Sequence, residues 1–550
     1  MAAPPGMTDA AFAAALAEFA AVVGAENVYT SDEDIALYRD AYSPFWDQPE
    51  ERLASAAVAP ASTEEVQGVM RVAHARGVPI YPISTGKNLG YGGSAPAYSG
   101  SVVLDLKRMD RVLAIDEANA SVLVEPGVSY FDLFRVLEER GLQLCMDCPD
   151  PGWGSLLGNA LDRGGGFTMA HLRNHFDAHC GMEVVLPDGE LLRTGMGALP
   201  AAETWQQYKS GYGPWVDGLF SQSNFGVVTK MGFWLMPMPE AYLRTKVTAP
   251  RYDDIHRFIE ILTYAENTRL VTGLLDLAAP LLGTAHTAER DTLREYGPAP
   301  MSDAHRALIG GADVGYSPEL EAYGFANGIP YWSAALSFYG PPEVVEAQWG
   351  AVKRLFSEID GVGFEDGETV ALPVPEERRT EFFMSELGIP SLRRFSVGGR
   401  SPFNADPTHG HLWFSPIIPR TGAALIEANR VFRDASAAAG LPPFPPFAVP
   451  ALVWERAFIF IYGVPITRDP ETDRRYVEGL KSLIRVAGEH GWGEYRTAPA
   501  LQDAVMAEYS FNDHALRRFH ERIKDTLDPN GVLAAGRYGV WPAHLRGDRP

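Results

Sequence analysis

Two glycine-rich stretches carry the first chemical signal in this chain. Ser84-Thr85-Gly86-Lys87-Asn88-Leu89-Gly90-Tyr91-Gly92-Gly93 follows the apolar run Val78 to Ser84. Glycines let backbone N–H groups close around an anion, as in the nests that hold phosphates. The stretch is not a P-loop, because no Gly stands five residues before Gly86-Lys87. It is not a Rossmann turn either, because a strand rather than a helix comes next. A glycine-rich surface turn fits the spacing as well as an anion cradle does. The second stretch is Pro149-Asp150-Pro151-Gly152-Trp153-Gly154-Ser155, continuing to Gly158-Asn159 and Gly164-Gly165-Gly166. Its G-x-G-x-x-x-G is a weak dinucleotide-like pattern. Two such loops, about 65 residues apart, suggest a diphosphate held between them.

Two other patterns could bind metal. Cys145 and Cys148 form a lone C-x-x-C, half a zinc site or a redox pair, but no second ligand pair stands at metal spacing. The alternative is two reduced interior thiols. His171, His175 and His179 recur at i, i+4, i+8, which on one helix would stack three imidazoles. No carboxylate pair at matching spacing reinforces them, and no metal is expected.

These residues must be positioned by a chain of 550 residues, long enough for two or more domains. At 46% hydrophobic and 21% charged, it is globular rather than disordered. Its 47 basic against 70 acidic residues leave −23, which argues against nucleic acid and against basic-patch membrane binding. No basic residue precedes Arg39 and no apolar run approaches a membrane span of about 20 residues, so the expectation is a cytoplasmic protein. Phe12, Leu16, Phe19 and Val23 predict an amphipathic helix over Ala10 to Gly24. Strands are expected at Leu53–Pro60, Val78–Ser84, Ser101–Leu106, Ser121–Glu125, Met182–Leu186 and Phe225–Leu235. Helices open at Ser62, with Glu65 at capping-box spacing, and at Ser129. Asp188-Gly189 predicts a hairpin into Glu190–Arg193. Met236-Pro237-Met238-Pro239 marks a boundary, and 241–490 reads as a second unit of strands and helices.

PISTGKNLGYGG (82–93) followed by PDPGWGSLLGN (149–159) resembles the FAD-binding domain of the vanillyl-alcohol oxidase and 4-cresol dehydrogenase family. Further matches follow in the family's order: GMEVVLPDGELLRTGMGALP (181–200), GLFSQSNFGVVTKMGFWLMP (218–237), GHLWFSPI (410–417), GWGEYRT (491–497) and DPNGVLAAGRYGVWP (528–542). The resemblance covers about 50–240 and 405–542 and is weak over 245–400. It implies an α+β fold: a two-part FAD-binding domain over 1–240, to which 491–550 returns, and an α+β cap or substrate domain over 241–490.

The resemblance also implies a reaction, the oxidation of a para-substituted phenol such as vanillyl alcohol, eugenol or a 4-alkylphenol. Hydride leaves the benzylic carbon for flavin N5, a para-quinone methide forms, and O2 reoxidises the flavin to give H2O2. Phenol has a pKa of about 10, so its anion needs a cation and hydrogen-bond donors in a dry pocket. Tyr91, Tyr495 and Arg496 match the family's phenolate-binding residues, and Asp150 its carboxylate near flavin N5. Neighbours on a regular strand point oppositely, so Tyr495 and Arg496 share one target only where the strand is distorted. His411 matches the covalent flavin anchor, with neighbouring His409 a weaker candidate; the assisting histidine some members carry has no counterpart in residues 30–60.

Further FAD contacts implied are Ser84, Thr85, Gly86, Lys87, Asn88, Tyr91, Pro149, Gly154, Ser155, Asn159, Gly226 and Val228, with Arg537 near the flavin N1–C2 edge. Phe167, Gly165 and Trp413 are expected in the substrate pocket. Some members carry a tyrosine at the position of Phe167 and a bulkier residue at Gly165, which implies room here for longer para side chains. A homodimer or larger assembly is expected. The runner-up is a dehydrogenase that passes electrons to a cytochrome or another acceptor. A 2-hydroxy-acid or sugar oxidase on the same fold would need a carboxylate clamp or sugar-binding groups instead.

Overall fold

A computed structural model describes residues 3–87, 89–286, 301–392, 410–450, 452–454 and 456–548. The N-terminal helix Asp9–Val23 buries Phe12, Leu16, Phe19 and Val23, the face its spacing predicts. Beside it lies a sheet of β1 (Val28–Tyr29), β2 (Ala56–Val58), β3 (Ile80–Ile83) and β4 (Val102–Asp105), in the order β1-β2-β4-β3. β2 and β3 both run parallel to β4. A parallel pair needs a crossover, and the helix Thr63–Arg76 supplies one. Ser62 Oγ accepts the Glu65 N–H at its start, and Gly77 closes it at φ 67°.

The second sheet is antiparallel, in the order β5-β6-β10-β8-β9: β5 (Val112–Asp116), β6 (Ser121–Val124), β8 (His179–Val185), β9 (Leu191–Arg193) and β10 (Val227–Trp234). Ser129 opens the helix Tyr130–Glu139 with a reciprocal cap to Asp132. The boundary expected at Met236-Pro237 has structure of its own: these residues form β11, which pairs with β7 (Leu144–Cys145).

After it comes a sheet in which β12 (Ala241–Ala249) pairs with β14 (Trp332–Gly340), β15 (Gly363–Glu365) and β16 (Thr369–Ala371), while β13 (Leu275–Ala278) pairs with β14. Helices Ile255–Asn267, Pro342–Phe356 and Gly422–Ala438 bury their apolar faces in the same large core. β17 (Gly410–Phe414) then pairs with a strand over Tyr462–Ile466.

The C-terminal segment goes back to the first sheet. Ile80 N donates to Val532 O and Ala534 N to Ile80 O, both at 2.7 Å, and Val532–Ala534 bury among the first-half side chains. Among the described residues no helix is long and apolar enough to cross a membrane.

The three histidines do not share a helix. His175 lies in a four-residue helix, His175–Ala178, and His179 begins β8. His175 Nε2 meets Asp147 Oδ2 at 2.9 Å and His179 Nε2 meets Asp217 Oδ2 at 3.0 Å. Among the described residues no side-chain cluster could hold a metal ion. Cys145, Cys148 and Cys180 are all buried free thiols, as the interior-thiol alternative required.

Candidate active site

The two glycine stretches face one another. Leaving β3, the first turns at Gly86 (φ 66°), where a side chain would collide with Ser94 Oγ. In the second, Ser155 caps the helix Leu156–Leu161 by accepting the Gly158 N–H at 3.0 Å, and its hydroxyl donates to Pro126 O at 2.6 Å. A Cβ on Gly158 would collide with Ser84 Oγ, so glycine there lets the loops touch. Lys87 spans the gap with its ammonium 4.9 Å from the Trp153 ring.

Between the loops lies a cavity of about 360 Å³. Its wall contains nearly every residue expected from the sequence: Ser84, Gly86, Lys87, Tyr91, Pro149, Asp150, Gly154, Ser155, Asn159, Gly165, Phe167, Gly226, Val228, Trp413, Tyr495, Arg496 and Arg537. Thr85 and His411 are not part of the wall. Asn88 and His409 fall outside the described residues.

At one end, the Arg496 guanidinium sits 3.9 Å from the Tyr91 ring centroid and 5.1 Å from that of Tyr495. Tyr91 and Tyr495 meet edge to face at 6.4 Å. The required distortion is present: Glu494 makes an isolated bridge to Pro416, and the chain bends at Tyr495. Tyr495 N donates to Ser415 O at 3.0 Å, and the Ser415 and Tyr91 hydroxyls lie 3.3 Å apart. Burial raises the pKa of both tyrosines, so each keeps its proton and can donate. Burial works against the charge on Arg496, but the Asp162 carboxylate and packing on the two tyrosine rings offset it and keep the guanidinium charged.

Asp150 is buried, and Ser391 Oγ donates to its Oδ2 at 2.8 Å. Phe167 meets Phe383 edge to face at 5.2 Å. Arg537 donates to Tyr81 Oη at 3.2 Å and to Asp162 Oδ1 at 3.0 Å, and the Tyr538 hydroxyl also donates to Asp162. Gln222, Ala534 and Tyr538 line the cavity with φ of 47°, 43° and 54°. Backbone strain of this kind concentrates at functional sites. Asp162, Gln222, Ser415, Glu494 and Tyr538 were not singled out from the sequence; all but Asp162 sit inside matched motifs, the one signal that could have flagged them.

His411 projects from β17, buried behind the wall, with Trp413 at 4.0 Å and Tyr42 at 5.2 Å. Burial lowers its pKa to about 3, so the ring is neutral. Its Nε2 is buried without a hydrogen-bond partner, as is Thr85 Oγ1. Orphaned polar atoms beside a cavity fit a bound group that the protein alone does not satisfy. The glycine cradle and these atoms together fit FAD.

A family model described as an FAD binding domain matches residues 54–195. The 4-cresol dehydrogenase flavoprotein subunit of Pseudomonas putida is 30% identical over 98% of this chain and 97% of its own. The chain belongs to the vanillyl-alcohol oxidase and 4-cresol dehydrogenase family. Within this family, a solved 4-ethylphenol oxidase from Gulosibacter chungangensis, in complex with isoeugenol, is 32% identical and superposes with a TM-score of 0.81, covering 99% of this chain and 100% of its own. A p-cresol methylhydroxylase solved with substrate bound is 29% identical at TM-score 0.79, covering 98% and 99%. A 1'-carboxy-chondrochloren decarboxylase of Chondromyces crocatus is 30% identical over 96% of this chain and 98% of its own. The fold is thus of the vanillyl-alcohol oxidase type, and the protein is an FAD-binding oxidoreductase of that family.

Proposed function

We propose that this protein is an FAD-dependent oxidase of para-substituted phenols such as vanillyl alcohol, eugenol and 4-alkylphenols. The observation that carries the reading is the Arg496 guanidinium held against both Tyr91 and Tyr495 at one end of the cavity. One buried cation and two hydroxyl donors are what a phenolate needs in a dry pocket. The same cation and donors would also hold a carboxylate; the full-length relatives named for phenols favour the phenol.

Bound FAD supplies the hydride acceptor. This chain's residues prepare the substrate for it. Arg496, Tyr91 and Tyr495 stabilise the phenolate, whose oxygen pushes electron density to the benzylic carbon as hydride leaves. Asp150, oriented by Ser391, acts as base toward the benzylic side, either on the para-quinone methide or on attacking water. Ser84–Lys87 and Gly154–Ser155 would hold the diphosphate, and Asn159, Pro149, Gly226 and Val228 would line the rest of the cofactor. Arg537 would supply positive charge toward the pyrimidine edge, where it favours reduced flavin. His411, neutral and with a free Nε2, is the covalent anchor. Residues 1–240 with 491–550 hold the cofactor, and 241–490 cap it. The enzyme is a cytoplasmic homodimer or larger assembly, reoxidised by O2 to give H2O2.

A second reading rests on the Pseudomonas putida relative, which is named a dehydrogenase. In it the same phenol chemistry ends at a protein electron acceptor. An oxygen electrode with vanillyl alcohol, eugenol and 4-ethylphenol, run beside a dye acceptor, separates the two. Oxygen uptake supports the oxidase. Flavin bleaching with dye reduction and no oxygen uptake supports the dehydrogenase. No bleaching with any phenol overturns the Tyr91, Tyr495 and Arg496 assignment.

A further inference from the structure

Glu494 immediately precedes the phenolate pair, and no reaction step above uses it. Its carboxyl is buried. Oε2 accepts the Ser415 N–H at 2.8 Å, while Oε1 is buried with no hydrogen-bond partner. Among the described residues no Lys, Arg or His lies within ion-pair distance of it. The titratable groups facing it are Tyr91, from the first glycine loop, and Tyr509, at the end of the helix Gln502–Glu508. Tyr495 and Arg496 follow it in the chain. An ionised carboxylate in that position would be a buried charge with one neutral donor, which is costly.

The charge balance of the cavity gives this isolation a consequence. Lys87 and Arg537 serve the cofactor, so the cation left for an incoming phenolate is Arg496. Glu494 lies behind Tyr91 and Ser415, whose hydroxyls are 3.3 Å apart, and its carboxyl acts electrostatically on Tyr91. Its ionisation would set a second negative charge behind the bound phenolate.

The geometry points to Glu494 as a pH gate on phenolate binding: protonated, it leaves the charge of Arg496 to the substrate; ionised, it opposes the bound phenolate. This rests on the phenol reading above. Burial raises the carboxyl's pKa to about 8, so the gate closes at mildly alkaline pH. The rule is of opposite sign to the phenol's own ionisation, which favours binding as pH rises.

The test uses 4-fluorophenol, which has no benzylic carbon and binds without being oxidised. Its Kd for the holoenzyme is measured from flavin absorbance between pH 6.5 and about 9, for wild type and Glu494→Gln. The ligand's ionisation is common to both proteins, so the ratio of their Kd values isolates Glu494. The ratio is expected near 1 at pH 6.5, rising to about tenfold in favour of the variant one unit above the midpoint. A ratio within about twofold at every pH overturns the gate. If the variant does not load FAD, wild type alone decides by proton counting with an indicator dye near pH 9. Glu494 should take up the proton the phenol gives up, leaving almost no net release; release of about one proton per bound ligand overturns the gate. Absence of binding by wild type at every pH overturns the phenol reading itself, which a flat Kd ratio with normal binding does not.

Discussion

Arg496→Met tests the electrostatic core of the site while keeping most of the stem that packs on Tyr91. The guanidinium lies 3.9 Å from the Tyr91 ring centroid in a buried pocket. A phenolate held by the same tyrosine meets the cation at about 4 Å, and at an effective dielectric of about 20 this pair is worth about 4 kcal/mol. If that attraction is present in the transition state and lost in the variant, kcat/KM falls by about a thousandfold, since each 1.36 kcal/mol is tenfold. Arg496→Lys keeps the charge but not the planar fork and should fall between the two. The assay is kcat/KM for 4-ethylphenol, with FAD content checked so that a lost cofactor is not read as lost catalysis. A second readout is the ultraviolet difference spectrum of bound 4-fluorophenol, which reports phenolate directly. Wild type should show the phenolate band at neutral pH and Arg496→Met should not. A loss below about tenfold, or a phenolate band that persists without the arginine, refutes the assignment of the cation to the phenolate.

His411→Ala should leave FAD extractable by acid precipitation while wild type retains it in the pellet; extractable flavin in wild type refutes the covalent anchor. Asp150→Asn should lower kcat by about 10² to 10⁴ with KM little changed, the range for a positioned acid–base group. Because Phe167 lacks a tyrosine's hydroxyl and Gly165 adds no side chain to the cavity wall, kcat/KM should be higher for 4-ethylphenol and 4-propylphenol than for 4-methylphenol; a clear preference for methyl refutes the enlarged pocket. Stability should also report Glu494. Its folded pKa of about 8 lies above the ordinary carboxyl value of 4.5, so its contribution is fully present below pH 4.5 and is lost as pH rises toward 8. Glu494→Gln has no such loss, so its Tm relative to wild type should climb across that window and level off above it; a difference independent of pH refutes the neutral buried carboxyl.

Local rules made the frame of this site legible, and tertiary contact decided the rest. Ser62 and Ser129 declare helix starts because their side chains satisfy backbone donors three residues on, a relation written in the sequence itself. The glycines at 86 and 158 stand out in the sequence, but what they permit, close approach to Ser94 and, at 158, to Ser84 of the other stretch, is decided by the fold. The histidine spacing describes no shared helix for the opposite reason. Periodicity of 3.6 is a property of a continuous helix, and here the helix stops after Ala178, so His179 belongs to a strand and faces Asp217. β5 was missed because its residues are nearly all half-buried, which leaves little apolar alternation to read. Glu494 and Asp162 are the sharper case. Neither spacing nor residue type distinguishes a carboxylate that pairs with Arg537 from one that meets only a backbone N–H. That distinction is what sets the charge of the pocket. A family motif identifies the cation that binds the anion; whether that cation is offset by its neighbours is a property of the assembled cavity, and it is there that members with the same Tyr, Tyr and Arg can differ in the pH at which they bind.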